Sequence, residues 1–98
     1  MSGKIRHLAL INLKHEKDSP RAKEFLEAAK RDLGGVPSVR EYMQNVTPPK
    51  GWQYGLLLEF DCEEDLEAYE NHPLNQKFTE EYWIPDVLDY MDINFKIV

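Results

Sequence analysis

The chain reads as α+β, with elements in the order β-α-β-β-α-β forming a four-stranded antiparallel sheet that carries its helices on one face. Four segments rich in β-formers alternate with two stretches of helical period. A Pro/Gly cluster, Thr47-Pro48-Pro49-Lys50-Gly51, is short enough to join the middle two strands as a hairpin. Right-handed crossovers then bring both helical segments to the same side of the sheet.

The first strand runs from Ile5 to Lys14, with Ile5, His7, Ala9, Ile11 and Leu13 on one parity. Leu8 and Leu10 make the other parity apolar too, as in a strand covered on both sides. His15 falls in the charged loop Lys14 to Asp18 and is expected to be solvated. The first helix starts at an Ser19 N-cap with Pro20 in its first turn, where a missing N–H costs nothing. Its inward stripe is Ala22, Phe25, Leu26, Ala29 and Leu33, and Gly34-Gly35 offers a left-handed C-cap.

The second strand is expected over Val36 to Val46 and the third over Trp52 to Phe60. Asp61 to Glu64 has the spacing of a capping box, which opens a helix with Leu66 and Tyr69 facing inward. The acidic run Glu63-Glu64-Asp65 suits a solvated helix start, where the dipole favours it, better than a metal site. The helix breaks at His72-Pro73 and restarts, running from Pro73 to Ile84 until Pro85 closes it. The last strand, Leu88 to Ile97, carries Met91, Ile93, Phe95 and Ile97 on one side and Tyr90, Asp92, Asn94 and Lys96 on the other.

At 98 residues the chain is expected to be one domain, residues 1–98, able to bury a thin core. Its net charge of −6 with no Lys/Arg cluster argues against nucleic acid or an anionic membrane as partner. The one cysteine, Cys62, needs no oxidising compartment. The N-terminal segment lacks a signal-peptide core, no apolar run approaches the ~20 residues of a membrane span, and a cytoplasmic protein is expected.

With the helices on one face, the other is bare. If the cleaner apolar parity of each strand meets the helices, the bare face holds Leu8, Leu10, Tyr42, Leu57 and Tyr90 among polar residues. A patch of that kind calls for a partner, and two such sheets packed face to face make a homodimer.

The sequence resembles the stress-responsive dimeric α/β-barrel (Dabb) domain family along nearly its whole length. The resemblance rests on the start Ile5-Arg6-His7, on the strand Leu57-Leu58-Glu59-Phe60-Asp61 leading into Glu63-Glu64-Asp65-Leu66, and on Tyr69, His72, Pro73 and Phe78 of a Y-x-x-H-P-x-H-x-x-F signature. It implies a ferredoxin-like fold that pairs into a dimeric α+β barrel. It also implies that many members have no assigned reaction, while others act in stress tolerance or cyclise polyketides without a cofactor. In the cyclases a tyrosine and a histidine of the signature handle protons. Here Tyr69 stands at the first position and Asn75 replaces the histidine at the second.

An amide cannot exchange a proton near neutral pH, so any surviving acid–base chemistry needs His72 or His7 beside Tyr69. Each has a structural alternative: His72 as N-cap of the second helix piece, His7 as a core histidine, Tyr69 as a core tyrosine with a paired hydroxyl. Phe25, Phe78, Tyr82 and Trp83 line a cleft between helices and sheet or simply fill the core. The expected function is a non-catalytic homodimer binding a small, partly apolar ligand through Phe25, Tyr69, His72, Asn75 and Phe78, with no cofactor and no metal. The alternative is a cofactor-free cyclase- or lyase-like enzyme using Tyr69 with His72 or His7. The chain has no metal-binding, phosphate-loop or nucleophile-elbow motif that would favour another reaction class.

Overall fold

The computed structural model describes residues 4–97; residues 1–3, the start of the charged N-terminal segment, and residue 98 lie outside the described residues. Strand β1 (Ile5–Leu13) leads to helix α1 (Pro20–Asp32), then β2 (Glu41–Val46), β3 (Tyr54–Phe60) and helix α2 (Glu63–Glu70). Helix α3 (Pro73–Phe78), a π-helical turn (Thr79–Trp83), a short helix α4 (Ile84–Asp86) and strand β4 (Val87–Lys96) complete it. The sheet is antiparallel with the order β2-β3-β1-β4, so the two outer elements of the chain meet in its middle and at one edge.

The start of α1 follows its sequence signal. The Ser19 hydroxyl accepts from the Ala22 N–H at 3.3 Å, and Pro20 sits in the first turn. Ala22, Phe25, Ala29 and Leu33 are buried against the sheet. The helix end differs from expectation, because neither Gly34 nor Gly35 has a positive φ. Glycine is needed there for space: a Cβ on Gly34 would lie 2.5 Å from the Lys30 carbonyl oxygen. The positive φ, 98°, belongs to Gly51 in the hairpin turn.

Four boundaries shift. Residues 36–40 are irregular, with a turn at Pro37-Ser38, so β2 begins at Glu41 instead of Val36, and β3 begins at Tyr54 instead of Trp52. Asp61 is not the N-cap of α2; Cys62 is, without a side-chain cap bond. Arg40 Nη1 donates to the Asp61 carboxylate at 2.7 Å and holds it outside the helix. The second helical run also passes Pro85 instead of ending before it. In the widened π turn the Ile84 N–H bonds to the Thr79 carbonyl, and Pro85 falls in the first turn of α4, where no N–H is required.

The end of that run is tied to α1. Arg21 Nε donates to the buried Asp86 carboxylate at 2.9 Å, and the Lys14 N–H donates to the Asp86 carbonyl at 2.8 Å. His15, expected in solvent, has its Nε2 buried 3.4 Å from the same carboxylate. The loop folds back because Asp86 gives it something to fold onto.

Register corrects the two faces. Cross-strand partners point to the same side, and Tyr42 pairs with Leu58 while Tyr90 pairs with Ile11. Leu58 and Ile11 are buried under the helices, so Tyr42 and Tyr90 lie on the helix side and not on the bare face. On β4 the polar parity therefore faces the helices. The apolar parity joins Leu8, Leu10 and Leu57, with Met91, Phe95 and Ile97 left 47%, 50% and 40% exposed. As an edge strand, β4 extends beyond the helical cover, so its helix-side residues can stay wet while its other side awaits burial. The hairpin segment Thr47-Pro48-Pro49 curls over this face and, with Leu8, Gly55 and Phe95, bounds a hollow of about 490 Å³.

Candidate ligand cavity between sheet and helices

A second cavity, of about 210 Å³, lies between the sheet and the α2–α3 junction. Its floor is built by β1 and β3, where His7 and Ala9 stand beside Leu58 and Leu56. Ala9 is the reason for the space: a methyl group sits where its β3 partner carries a full leucine. The wall comes from Tyr69 and Glu70 at the end of α2, Asn75 and Phe78 of α3, and Thr79 and Trp83 of the π turn. The β4 edge closes one side with Tyr90 and Asp92.

The helix break is what brings these walls together. The Asn71 N–H ends α2 on the Glu67 carbonyl, and His72 then caps α3, its Nδ1 accepting from the Leu74 N–H at 3.1 Å. His72 is thus engaged as a cap and does not line the cavity. Phe25 also stands back: fully buried, it packs edge-on against Phe78 with ring centroids 5.1 Å apart. Phe78 is stacked in turn on Tyr82, which lies outside the lining.

Tyr69 is 7% exposed and packs against Phe60 and His7, with centroids 5.3 and 6.4 Å away. The expectation of a paired hydroxyl fails, since among the described residues no protein group hydrogen-bonds it. Burial pushes its phenol well above the usual tyrosine range, and the charges of Asp92 and Glu70 push the same way. Tyr69 is therefore a neutral hydroxyl that can donate to a ligand but cannot serve as a phenolate base.

His7 Nδ1 donates to the Asn94 side-chain oxygen at 2.6 Å. That bond fixes the ring and leaves Nε2 as the acceptor. Asn75 Nδ2 donates to the Glu70 carbonyl at 3.2 Å, which leaves its own side-chain oxygen as an acceptor. The cavity thus gathers Tyr69, Asn75 and Phe78 with His7, and leaves out His72 and Phe25. Sequence reasoning missed Asp92, Asn94 and Glu70 as contributors. The polar parity of Asp92 and Asn94 on β4 was visible, but the side it faced depended on register, and Glu70 sits at the end of α2.

Among the described residues no three His, Cys, Asp or Glu side chains are grouped to hold a metal, and no helix is long and apolar enough to cross a membrane.

The sequence model of the family described as Stress responsive A/B Barrel Domain matches residues 5–97. No curated protein matches the chain. Among solved structures, a Dabb family protein with a ferredoxin-like fold from Mesorhizobium loti is 28% identical, with a TM-score of 0.90 over 98% of each chain. A dimeric ferredoxin-like protein of unknown function from Thermobifida fusca is 18% identical, with a TM-score of 0.80 over 99% of this chain and 93% of that one. The hydroxynitrile lyase of Passiflora edulis is 14% identical, with a TM-score of 0.81 over 100% of this chain and 96% of that one. At such identities the last two bear on the fold alone.

Proposed function

The chain belongs to the stress responsive A/B barrel domain family, and from that premise we propose that it is a homodimer whose subunits each bind a small, partly apolar molecule between sheet and helices. The observation that carries the reading is the nine-tenths-buried Tyr69 with an unpartnered hydroxyl at a cavity of about 210 Å³. Tyr69 lines that cavity, and its hydroxyl, free of any protein partner among the described residues, can donate to or accept from a ligand there. A dry cavity of ~150 Å³ holds benzene, so the space here suits one substituted ring.

The homodimer is supported by the exposed apolar side of β4 and by the Thermobifida fusca neighbour, described as dimeric. A part in stress tolerance, as the family's description has it, and a cytoplasmic site of action belong to the same proposal. Calorimetric titration with benzyl alcohol tests the ligand half. Binding is expected in the native chain and should vanish in Ala9→Leu, whose side chain occupies the space; equal binding by both would sink the reading.

One observation favours a second, enzymatic reading. The His7 ring is held by Asn94 at 2.6 Å, an arrangement that suits a general base opposite the Tyr69 hydroxyl acting as acid. The lyase from Passiflora edulis has this fold, so cleavage of an aromatic cyanohydrin is the turnover to assay. Loss of turnover in His7→Ala and Tyr69→Phe, with His72→Ala still active, would support it; activity surviving in both of the first two would exclude this mechanism.

A further inference from the structure

We infer that the ligand of the helix–sheet cavity carries a positive charge, as an amine on a single ring. This rests on the cavity reading above and names the chemical class it selects. The cavity's charged lining is one-sided: Asp92 and Glu70 both border it, and no lysine or arginine does. Neither carboxylate has a cationic partner within 4 Å among the described residues, although Asp32, Glu59, Asp61, Glu63 and Asp86 all do.

The remaining polar groups fit the same guest. Tyr69 is more than nine-tenths buried, lines the cavity with its hydroxyl unpartnered, and offers lone pairs as well as a proton. The Nε2 of His7 and the side-chain oxygen of Asn75 are acceptors, because their sibling atoms are already bonded to Asn94 and to the Glu70 carbonyl. A primary ammonium brings three donors and no acceptor, the complement of this set. The apolar part of the guest then rests on Phe78, Trp83 and Leu56, while the ammonium head stays at the rim beside the exposed Asp92. An anionic ring compound would meet two carboxylates and no counter-charge, in a chain whose net charge is already −6.

The test uses three probes with the same ring and different charge: benzylamine, benzyl alcohol and benzoate, titrated calorimetrically into the full chain near neutral pH and low salt. Benzylamine is expected to bind about tenfold tighter than benzyl alcohol, with benzoate weakest, and the advantage should shrink as salt is added. The affinity ratio of amine to alcohol should fall towards one in Asp92→Asn, and part of the way in Glu70→Gln. Both side chains are exposed, so melting curves should show the variants folded. Benzoate binding as well as benzylamine, or an unchanged ratio in both variants, would overturn the inference while leaving the cavity reading standing. Failure of all three probes to bind would overturn the cavity reading, and this inference with it.

Discussion

The His7 imidazole donates through Nδ1 to the side-chain oxygen of Asn94, 2.6 Å away on the neighbouring strand. The two residues are register partners, so the pairing of β1 with β4 itself aligns the bond. It turns an otherwise rotatable ring into one with a defined acceptor, Nε2, and the Tyr69 ring lies 6.4 Å away between centroids.

Asn94→Ala should release that ring. Nitrogen-15 NMR of the native chain is expected to show His7 in the Nδ1–H tautomer, and the variant should show a mixture of tautomers. A mixture in both would mean that Asn94 does not set the ring.

Tyr69→Phe should be nearly neutral for folding. The hydroxyl has no protein partner to orphan, so urea denaturation is expected to place the variant within about 0.5 kcal/mol of the native chain. Binding of a single-ring ligand should weaken severalfold. A stability loss of about 2 kcal/mol would instead point to a structural hydrogen bond at this hydroxyl.

Alkaline pH should expose the phenols that the fold holds protonated. Burial raises Tyr42, Tyr54 and Tyr69 above the usual tyrosine range. At about pH 8, well below the tyrosine pKa of about 10, all three are protonated in the folded and unfolded chain, and their contribution to stability is constant. As pH rises further, the unfolded chain gives up protons that the folded chain keeps, so stability falls until the folded phenols ionise too. Denaturation midpoints at about pH 8 and about pH 11 should therefore differ, and Tyr69→Phe should reduce the difference. An identical drop in the variant would assign the effect elsewhere.

Phe95→Glu should split the dimer. The ring is 50% exposed on the apolar side of the sheet, beside the hollow under Pro48 and Pro49. Light scattering is expected to give a dimer for the native chain and a monomer for the variant, because a buried unpaired carboxylate is costly. A native chain that is a stable monomer at micromolar concentration would contradict the homodimer.

Local chemistry was the legible part of this fold. Ser19-Pro20 announced a helix start and the Pro48-to-Gly51 cluster a hairpin, since both signals act through atoms of adjacent residues. Asp61 misled because a capping acid reads the same whether it meets its own helix or, as here, Arg40 from another segment. Tyr42 and Tyr90 were placed on the wrong face because alternation reveals two sides of a strand without saying which meets the helices. The same gap hid Asp92 and Asn94 from the site. His72 was legible as a possible cap, yet only the Leu74 N–H at 3.1 Å decides between cap and ligand contact. The unpartnered Tyr69 hydroxyl is a property of what surrounds the residue, and no sequence pattern encodes it.

The cavity at Tyr69 is most directly tested by mapping where a single-ring ligand binds. In a two-dimensional NMR titration with benzyl alcohol, the predicted shifts are concentrated at Ala9, Tyr69, Phe78 and Trp83, which line the cavity of about 210 Å³. Shifts confined to Leu8, Leu57 and Phe95 on the opposite face of the sheet, or no saturable shifts at all, would contradict it.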